Sequence, residues 1–288
     1  MRTIGLAGQE VPVLGQGTWK MGDSRSRWDD EVAALRTGID LGMTLLDTAE
    51  MYGSGRSEQL VGEAIRGRRD EVYLVSKVLP SNASRTGTIR ACEASLRRLG
   101  TDRLDLYLLH WPGSHPLEET FGAFEELRRQ GKIGAWGVSN FDRELMAEAG
   151  TVARTIQGED GAAQDRPATN QVLFNLRRRW PEAGLLDDLR EADIPLMAYS
   201  PIDQGDLAGG RRSAVLRAIA DRHGATPAQI ALAWVISVPG VFAIPKASSE
   251  QHVRENAAAA DIRLSEQDLA ELDATFPPPE HDAPLELI

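Results

Sequence analysis

Val72-Tyr73-Leu74-Val75-Ser76-Lys77 and Leu104-Asp105-Leu106-Tyr107-Leu108-Leu109-His110 are short apolar runs, each ending on a residue able to hold or exchange a proton. Between them, residues 89–99 carry apolar side chains at helical spacing. Short apolar runs read as strands and a 3.6-residue period reads as a helix, so 72–110 is a strand-helix-strand unit. Outward from it, similar runs occupy 44–47, 133–138, 168–174, 195–199 and 241–245, and the Gly-rich 15–18 is a plausible first member of the series. Helical spacing recurs in Val32, Leu35, Ile39 and Leu41, in Leu60, Val61, Ala64 and Ile65, and at 117–129, 143–153, 183–192, 215–223, 227–236, 250–258 and 265–274. Residues 2–6 and 10–14, around Ala7-Gly8-Gln9, suggest a small hairpin ahead of the series.

Eight strands each followed by a helix fit a closed barrel better than an open sheet. The expected fold class is α/β, a (β/α)8 TIM barrel with a short N-terminal β-hairpin and a C-terminal helix and tail. No linker and no short repeat interrupts the series, so one domain over 1–288 is the economical division. Residues 155–166, polar and Gly-containing, read as a surface insertion before the sixth strand.

The chain has 288 residues, 42% hydrophobic, with a single cysteine, Cys92. That apolar content argues against disorder, and a lone cysteine excludes an internal disulfide framework and cysteine-rich metal sites. The formal net charge of -11 argues against nucleic acid as the main partner. No apolar run approaches the roughly 20 residues of a membrane span, and Met1 to Leu6 lack a signal-peptide core, so no membrane partner is expected and a cytoplasmic protein is the default.

In a barrel of this kind chemistry sits at the C-terminal ends of the strands. The polar residues there include Asp47, Tyr52, Lys77 and His110. A tyrosine, with a reference pKa of about 10, is a poor acid near neutrality unless a cation stabilises its phenolate. Lys77 is that cation, Asp47 its counter-ion, and His110 a hydrogen-bonding partner for a substrate oxygen. Together they would polarise a carbonyl and protonate it, which is half of a reduction. The other half is a hydride, which no side chain supplies, so a nicotinamide cofactor is implied. The sequence has neither G-x-G-x-x-G after a strand nor a Walker loop, so such a cofactor would bind without a Rossmann domain.

Leu46-Asp47-Thr48-Ala49-Glu50-Met51-Tyr52-Gly53 resembles the first signature of the aldo-keto reductases. So do Val75-Ser76-Lys77, Leu109-His110-Trp111-Pro112, Gly137-Val138-Ser139-Asn140-Phe141, Asn170-Gln171, Ala198-Tyr199-Ser200-Pro201 and Ile244-Pro245-Lys246-Ala247-Ser248, in the same order as the strands. Residues 244–276 resemble bacterial reductases of methylglyoxal and similar small aldehydes. The resemblance implies NADPH-dependent reduction of a small carbonyl substrate, with Tyr52 as general acid, Lys77 lowering its pKa, Asp47 paired to Lys77 and His110 orienting the carbonyl. It implies that Ser139, Asn140 and Gln171 hold the nicotinamide carboxamide, with Tyr199 stacked on the ring. Ser200, Pro201, Ile202, Gly205, Asp206 and Leu207 would follow the pyrophosphate, and Lys246, Ser248, Ser249, Glu255 and Asn256 would surround the adenosine and its 2'-phosphate. An anion there suits a helix N-terminus near Glu250. Where many relatives have an arginine, this chain has His252, so the expected phosphate contribution weakens as pH rises; NADPH and NADH affinities on either side of neutrality would test this. Monomers are common among relatives, which implies a monomer or weak oligomer.

Simpler readings compete at each position. Alone, Asp47 would be a cap or turn former and His110 a buried structural histidine. His110 and His115 lack metal-ligand spacing, so no metal is expected. Trp19 and Trp111, at strand ends, read as substrate-pocket residues; Trp136 and Trp234 read as core, and Trp180 as either. Arg177-Arg178-Arg179 reads most simply as a solvated loop, with a grip on cofactor or an acidic substrate as the lesser reading. Cys92 has no neighbouring base. The tail after Phe276-Pro277-Pro278-Pro279 cannot continue a helix, and Leu285 and Leu287 are candidates for overhanging the pocket. The alternative from another class is a nucleotide-binding regulatory barrel with little turnover, as in some channel-associated relatives; the full Asp47, Tyr52, Lys77 and His110 set argues against it. A metal-dependent barrel hydrolase would need more strand-end His and Asp than the chain offers.

Overall fold

The hairpin forms as β1 (Thr3–Leu6) and β2 (Gln9–Pro12), antiparallel from Thr3 opposite Pro12 to Leu6 opposite Gln9. The structure, a computed structural model, describes residues 1–156, 164–208, 212–280 and 283–288. Next come β3 (Gln16–Gly17), β4 (Leu45–Asp47), β5 (Tyr73–Val78), β6 (Leu104–Leu109), β7 (Ile133–Ser139), β8 (Asn170–Leu173), β9 (Leu196–Tyr199) and β10 (Val241–Ala243). They form one eight-stranded parallel sheet in chain order. Gly15 N donates to Ala243 O at 2.8 Å, Ala243 N to Val13 O at 2.9 Å and Gly17 N to Pro245 O at 3.1 Å, which joins the last strand to the first and closes the barrel. A Cβ on Gly17 would lie 2.6 Å from Ile244 O, so only glycine permits this approach.

The helices are α1 (Trp28–Asp40), α2 (Arg56–Ala64), α3 (Arg85–Leu99), α4 (Leu117–Arg129), α5 (Arg143–Ile156), α6 (Leu185–Glu191), α7 (Arg212–His223), α8 (Pro227–Val235), α9 (Glu250–Ala258) and α10 (Glu266–Thr275). Among the described residues one α-helix follows each of β3 to β8, and two follow each of β9 and β10. Side-chain hydroxyls of Ser84, Thr226, Ser249 and Ser265 accept from backbone N–H groups in the first turns of α3, α8, α9 and α10, satisfying donors that a helix cannot pair internally. No helix among the described residues is long and apolar enough to cross a membrane.

Strand periodicity separates two cores. Leu46, Leu74, Tyr107 and Leu109 pack outward with the helices. Leu45, Tyr73, Val75, Leu106, Leu108, Met197 and Phe242 pack inside the barrel, and Leu6 and Val11 of the hairpin join them. Because side chains alternate along a strand, the inward series Leu45, then Val75, then Leu108 must continue two residues later as Asp47, Lys77 and His110. The same alternation that fills the barrel therefore delivers the polar residues to one end of it.

Of residues 155–166, the two ends are described. α5 runs on to Ile156, and residues 157–163 lie outside those described. Gln164 Nε2 donates to Trp136 O at 2.7 Å while its Oε1 accepts from Trp136 N at 3.1 Å, pairing the side chain to β7 like a short strand.

Candidate active site

Asp47, the last residue of β4, and Lys77, the last but one of β5, are both buried, and the close approach of their opposite charges is what makes that burial tolerable. Lys77 Nζ donates to Asp47 Oδ2 at 2.7 Å, to Thr48 O at 2.9 Å and to Tyr52 Oη at 3.2 Å. Tyr52 comes from the loop after β4, where Gly53, Ser54 and Gly55 all have positive φ (57°, 55° and 89°) and turn the chain back over the lysine. Glycine tolerates this conformation freely, which is why two of the three are glycine. Glu50 fixes the same loop from behind: its Oε1 accepts from Leu79 N at 2.7 Å and Asn82 Nδ2 at 3.0 Å. The His110 ring meets Tyr52 edge-on, centroids 5.7 Å apart.

Burial governs the protonation states. It pushes the Asp47 carboxyl up and the Lys77 ammonium down, and their mutual contact opposes both shifts. Burial, and then the Asp47 charge, holds the Tyr52 hydroxyl well above its usual range, so Tyr52 rests as a protonated donor. His110 is pulled down to about 2 by burial and by Lys77, which leaves a neutral imidazole. Its Nδ1 is buried without a partner, so Nε2 is the nitrogen left to serve the cavity.

A second layer links the neighbouring strands. Tyr199 Oη donates to Asn140 Oδ1 at 3.0 Å, Asn140 Nδ2 to His110 O at 3.1 Å, and Ser139 Oγ to Gln171 O at 2.8 Å. Gln171 Nε2 donates to Asp47 Oδ1 at 2.8 Å and meets Met197 Sδ at 2.7 Å.

Over this floor lies a cavity of about 630 Å³, within the usual size of small-molecule sites. It is lined by Asp47, Tyr52, His110, Ser139, Asn140 and Gln171 below, and by Trp19, Trp111, Tyr199, Ser200, Pro201, Ile202 and Lys246 around the sides. Lys77 sits behind Tyr52 rather than on the surface of the cavity. Of the large apolar side chains left exposed among the described residues, Met1 and Leu41 lie elsewhere, while Trp19, Met51, Leu287 and Ile288 border the cavity and form an apolar patch at its mouth.

Other expected positions fall elsewhere. Leu207 is buried in the outer core instead of facing the cavity, and Gly205 is exposed, whereas Gln204, not singled out from sequence, lines it. Ser248 pairs its hydroxyl with Lys246 Nζ. His252 is exposed on the first turn of α9, and its backbone N–H, with Ser249 Oγ, completes the helix cap. Glu255 accepts from Gln251 at 2.9 Å, and Asn256 is buried. The Lys246 ammonium is held low by burial, with Arg27 and Lys20 adding repulsion and Glu31 opposing it. Glu31 carries no site signal in the sequence because a carboxylate in a helix ordinarily faces water; here it is fully buried, accepts from Gly22 N at 2.8 Å, and its Oε1 faces Arg27 Nε at 3.9 Å without a hydrogen bond. In the tail, Leu287 lines the cavity as expected, but Leu285 packs against the core and Ile288 takes the second place. Trp180 is core, its indole donating to Leu173 O at 3.0 Å. Burial pushes the Cys92 thiol up to about 12, a core side chain. Among the described residues no cluster of three or more His, Cys, Asp or Glu is placed to hold a metal.

Sequence comparison arrives at the same class of barrel oxidoreductase. The profile of the aldo/keto reductase family matches residues 13–276, and the chain belongs to that family. Methylglyoxal reductase YeaE of Escherichia coli K12 is 50% identical over 280 residues, covering 96% of this chain and 95% of that protein. Glyoxal reductase of Bacillus subtilis 168 is 35% identical over 274 residues, 93% of this chain and 90% of that protein. An aldo/keto reductase from Klebsiella pneumoniae, solved in complex with NADP and acetate, superposes with a TM-score of 0.92 at 47% identity, covering 100% of this chain and 99% of that one.

Proposed function

We propose that the chain, as one barrel domain over 1–288, reduces the carbonyl of small aldehydes, methylglyoxal-like compounds among them, and of some ketones, at the expense of NADPH. The observation that carries this reading is the fan of contacts from Lys77 Nζ, 2.7 Å to Asp47 and 3.2 Å to Tyr52, directly beneath a cavity that Tyr52 and His110 share. The residues present suit a nicotinamide cofactor: Ser139, Asn140 and Gln171 offer amide and hydroxyl groups beside the Tyr199 ring, and Lys246, with Lys20 and Arg27 nearby, offers positive charge for phosphate. When bound, that cofactor supplies the hydride.

The chain's own residues account for the proton and the charge. Tyr52, held protonated by its surroundings, donates its phenolic proton to the carbonyl oxygen. The Lys77 ammonium, already 3.2 Å from Tyr52 Oη, stabilises the phenolate left behind, and Asp47 keeps the ammonium in place. Neutral His110 donates a hydrogen bond to the same substrate oxygen and orients it without adding a second proton source. The apolar mouth formed by Trp19, Met51, Leu287 and Ile288 favours the hydrocarbon end of the substrate and limits water. The enzyme is read as cytoplasmic, acting on free small molecules as a monomer or weak oligomer.

The test is loss of NADPH absorbance with methylglyoxal and an aldehyde panel, comparing wild type with Tyr52→Phe. Removing the acid is expected to lower kcat by about 10²–10⁴-fold. No oxidation with any carbonyl would favour a binding barrel, and full turnover in Tyr52→Phe would remove it as proton donor.

A further inference from the structure

Residues 175–178 form a tight turn just past β8, closed by backbone hydrogen bonds between Asn175 and Arg178 (3.3 and 3.0 Å) and braced by one side chain. Asn175 is fully buried. Its Oδ1 accepts from Arg177 N at 2.9 Å and Arg178 N at 3.0 Å, and its Nδ2 donates to Ser200 O at 2.9 Å. From this fixed turn the three consecutive arginines reach three different segments. Arg177 pairs with Asp203 at 2.9 Å, in the loop whose Ser200, Pro201, Ile202 and Gln204 line the cavity. Arg178 pairs with Glu286, next to Leu287 and Ile288 at the cavity mouth. Arg179, 7% exposed, pairs with Glu182 and Asp273, donates to Phe276 O where α10 ends, and lies over the Trp234 ring at 4.8 Å. Arg177 and Arg178 are exposed, as a solvated loop would have them, yet each is ion-paired, and Arg179 alone of the three is buried.

We propose that Arg177 and Arg178 are positioning residues that set the aperture of the cavity, with Arg178 acting on substrate selection through the tail and Arg177 on cofactor retention through the 200–208 loop. Arg179 fixes where the tail leaves the last helix, and Arg178 holds Glu286, the residue directly before Leu287 and Ile288 at the mouth. Both outer pairs are partly exposed (40% and 15%, 45% and 32%), so each is individually modest. Modest is sufficient here, because each pair need only bias the placement of a short segment beside its other anchors, Ala283 and Leu285 on the core for the tail and Asn175 Nδ2 on Ser200 O for the loop. A fivefold change in that placement corresponds to about 1 kcal/mol, the upper range of such a pair.

This inference rests on the reductase reading, and its test separates the two. Amide hydrogen exchange of peptides spanning 283–288 and 200–208 is measured in wild type, Arg177→Gln, Arg178→Gln and the charge-reversed pair Arg178→Glu with Glu286→Arg, without cofactor. KM and kcat are measured for methylglyoxal and for 4-nitrobenzaldehyde, and NADPH Kd by fluorescence. Arg178→Gln is expected to speed exchange at 283–288 and raise KM for the aromatic aldehyde by about fivefold, more than its kcat falls and more than the methylglyoxal KM moves. The reversed pair restores both, and Arg177→Gln instead loosens 200–208 and raises the NADPH Kd. Unchanged exchange at 283–288, equal KM changes for the two aldehydes, or no recovery in the reversed pair would overturn the proposal. A wild type without turnover would remove the reductase reading and with it the substrate-selection role, while exchange would still decide whether Arg178 holds the tail.

Discussion

Gln171 Nε2 donates to Asp47 Oδ1 at 2.8 Å, across 124 positions of sequence. The residue expected to grip a nicotinamide carboxamide is thus also the second ligand of the carboxylate that holds Lys77. With Lys77 on Oδ2 and Gln171 on Oδ1, both oxygens of a buried anion are satisfied from within the barrel.

Replacing Gln171 with leucine removes a hydrogen bond to a buried charge, a loss of about 1.5–3 kcal/mol. Urea unfolding should show that cost, and it should shrink in an Asp47→Asn background, where there is no anion to satisfy. An equal cost in both backgrounds would show that the contact to Asp47 contributes nothing.

Lys77→Met leaves Asp47 buried without its cation, a change that costs about 3–5 kcal/mol. Burial already pushes the Asp47 carboxyl up, and without Lys77 it rises further. An acid whose folded pKa exceeds its unfolded value binds more protons when folded, so stability falls as pH rises through that window. The variant should therefore be closest to wild type in urea at about pH 5 and furthest from it at about pH 8. A pH-independent difference would contradict the charge argument.

His110 is held neutral down to about 2, whereas an imidazole in the unfolded chain protonates at about 6.5. Between those values the unfolded state binds the extra proton, so the folded state loses stability as pH falls, by up to about 1.4 kcal/mol per pH unit. His110→Gln should unfold with a shallower pH dependence between about pH 6 and pH 4 than wild type. Parallel profiles would mean that His110 titrates alike in both states.

Gly17→Ala places a methyl group 2.6 Å from Ile244 O at the seam of the barrel. Overpacking at such a point costs about 1–3 kcal/mol, visible as a lower Tm. Gly122→Ala is the contrast: it lies within α4, its Cβ would meet nothing closer than Arg85 Nη1 at 3.6 Å, and helix propensity predicts a gain of about 0.5–1 kcal/mol.

The strand series could be read because each run obeys its own local period, and the inward positions of β4, β5 and β6 lead straight to Asp47, Lys77 and His110. Tyr52 was reachable by the same logic, being a loop residue between a strand end and a helix. What could not be read depends on distant contacts. Leu207 follows strand β9 as a loop residue should, yet it is buried by the fold around it. Arg179 looks like its two neighbours in sequence, and only the end of α10, 97 positions away, makes it a buried anchor. Leu285 and Ile288 differ little in chemistry, and the path of the tail alone decides which one reaches the mouth.

Lys77 gives each of its three ammonium hydrogens to an acceptor, Asp47, Thr48 and Tyr52, and no surface of it meets water. A site that admits reactive aldehydes must contend with imine formation on any nearby amine, since a free lone pair attacks the same carbon that is to be reduced. Here the Lys77 amine is turned into three acceptors and has no open side from which to be approached. The contacts that hold the Tyr52 hydroxyl therefore also shield the Lys77 amine from covalent capture by a carbonyl compound in the cavity.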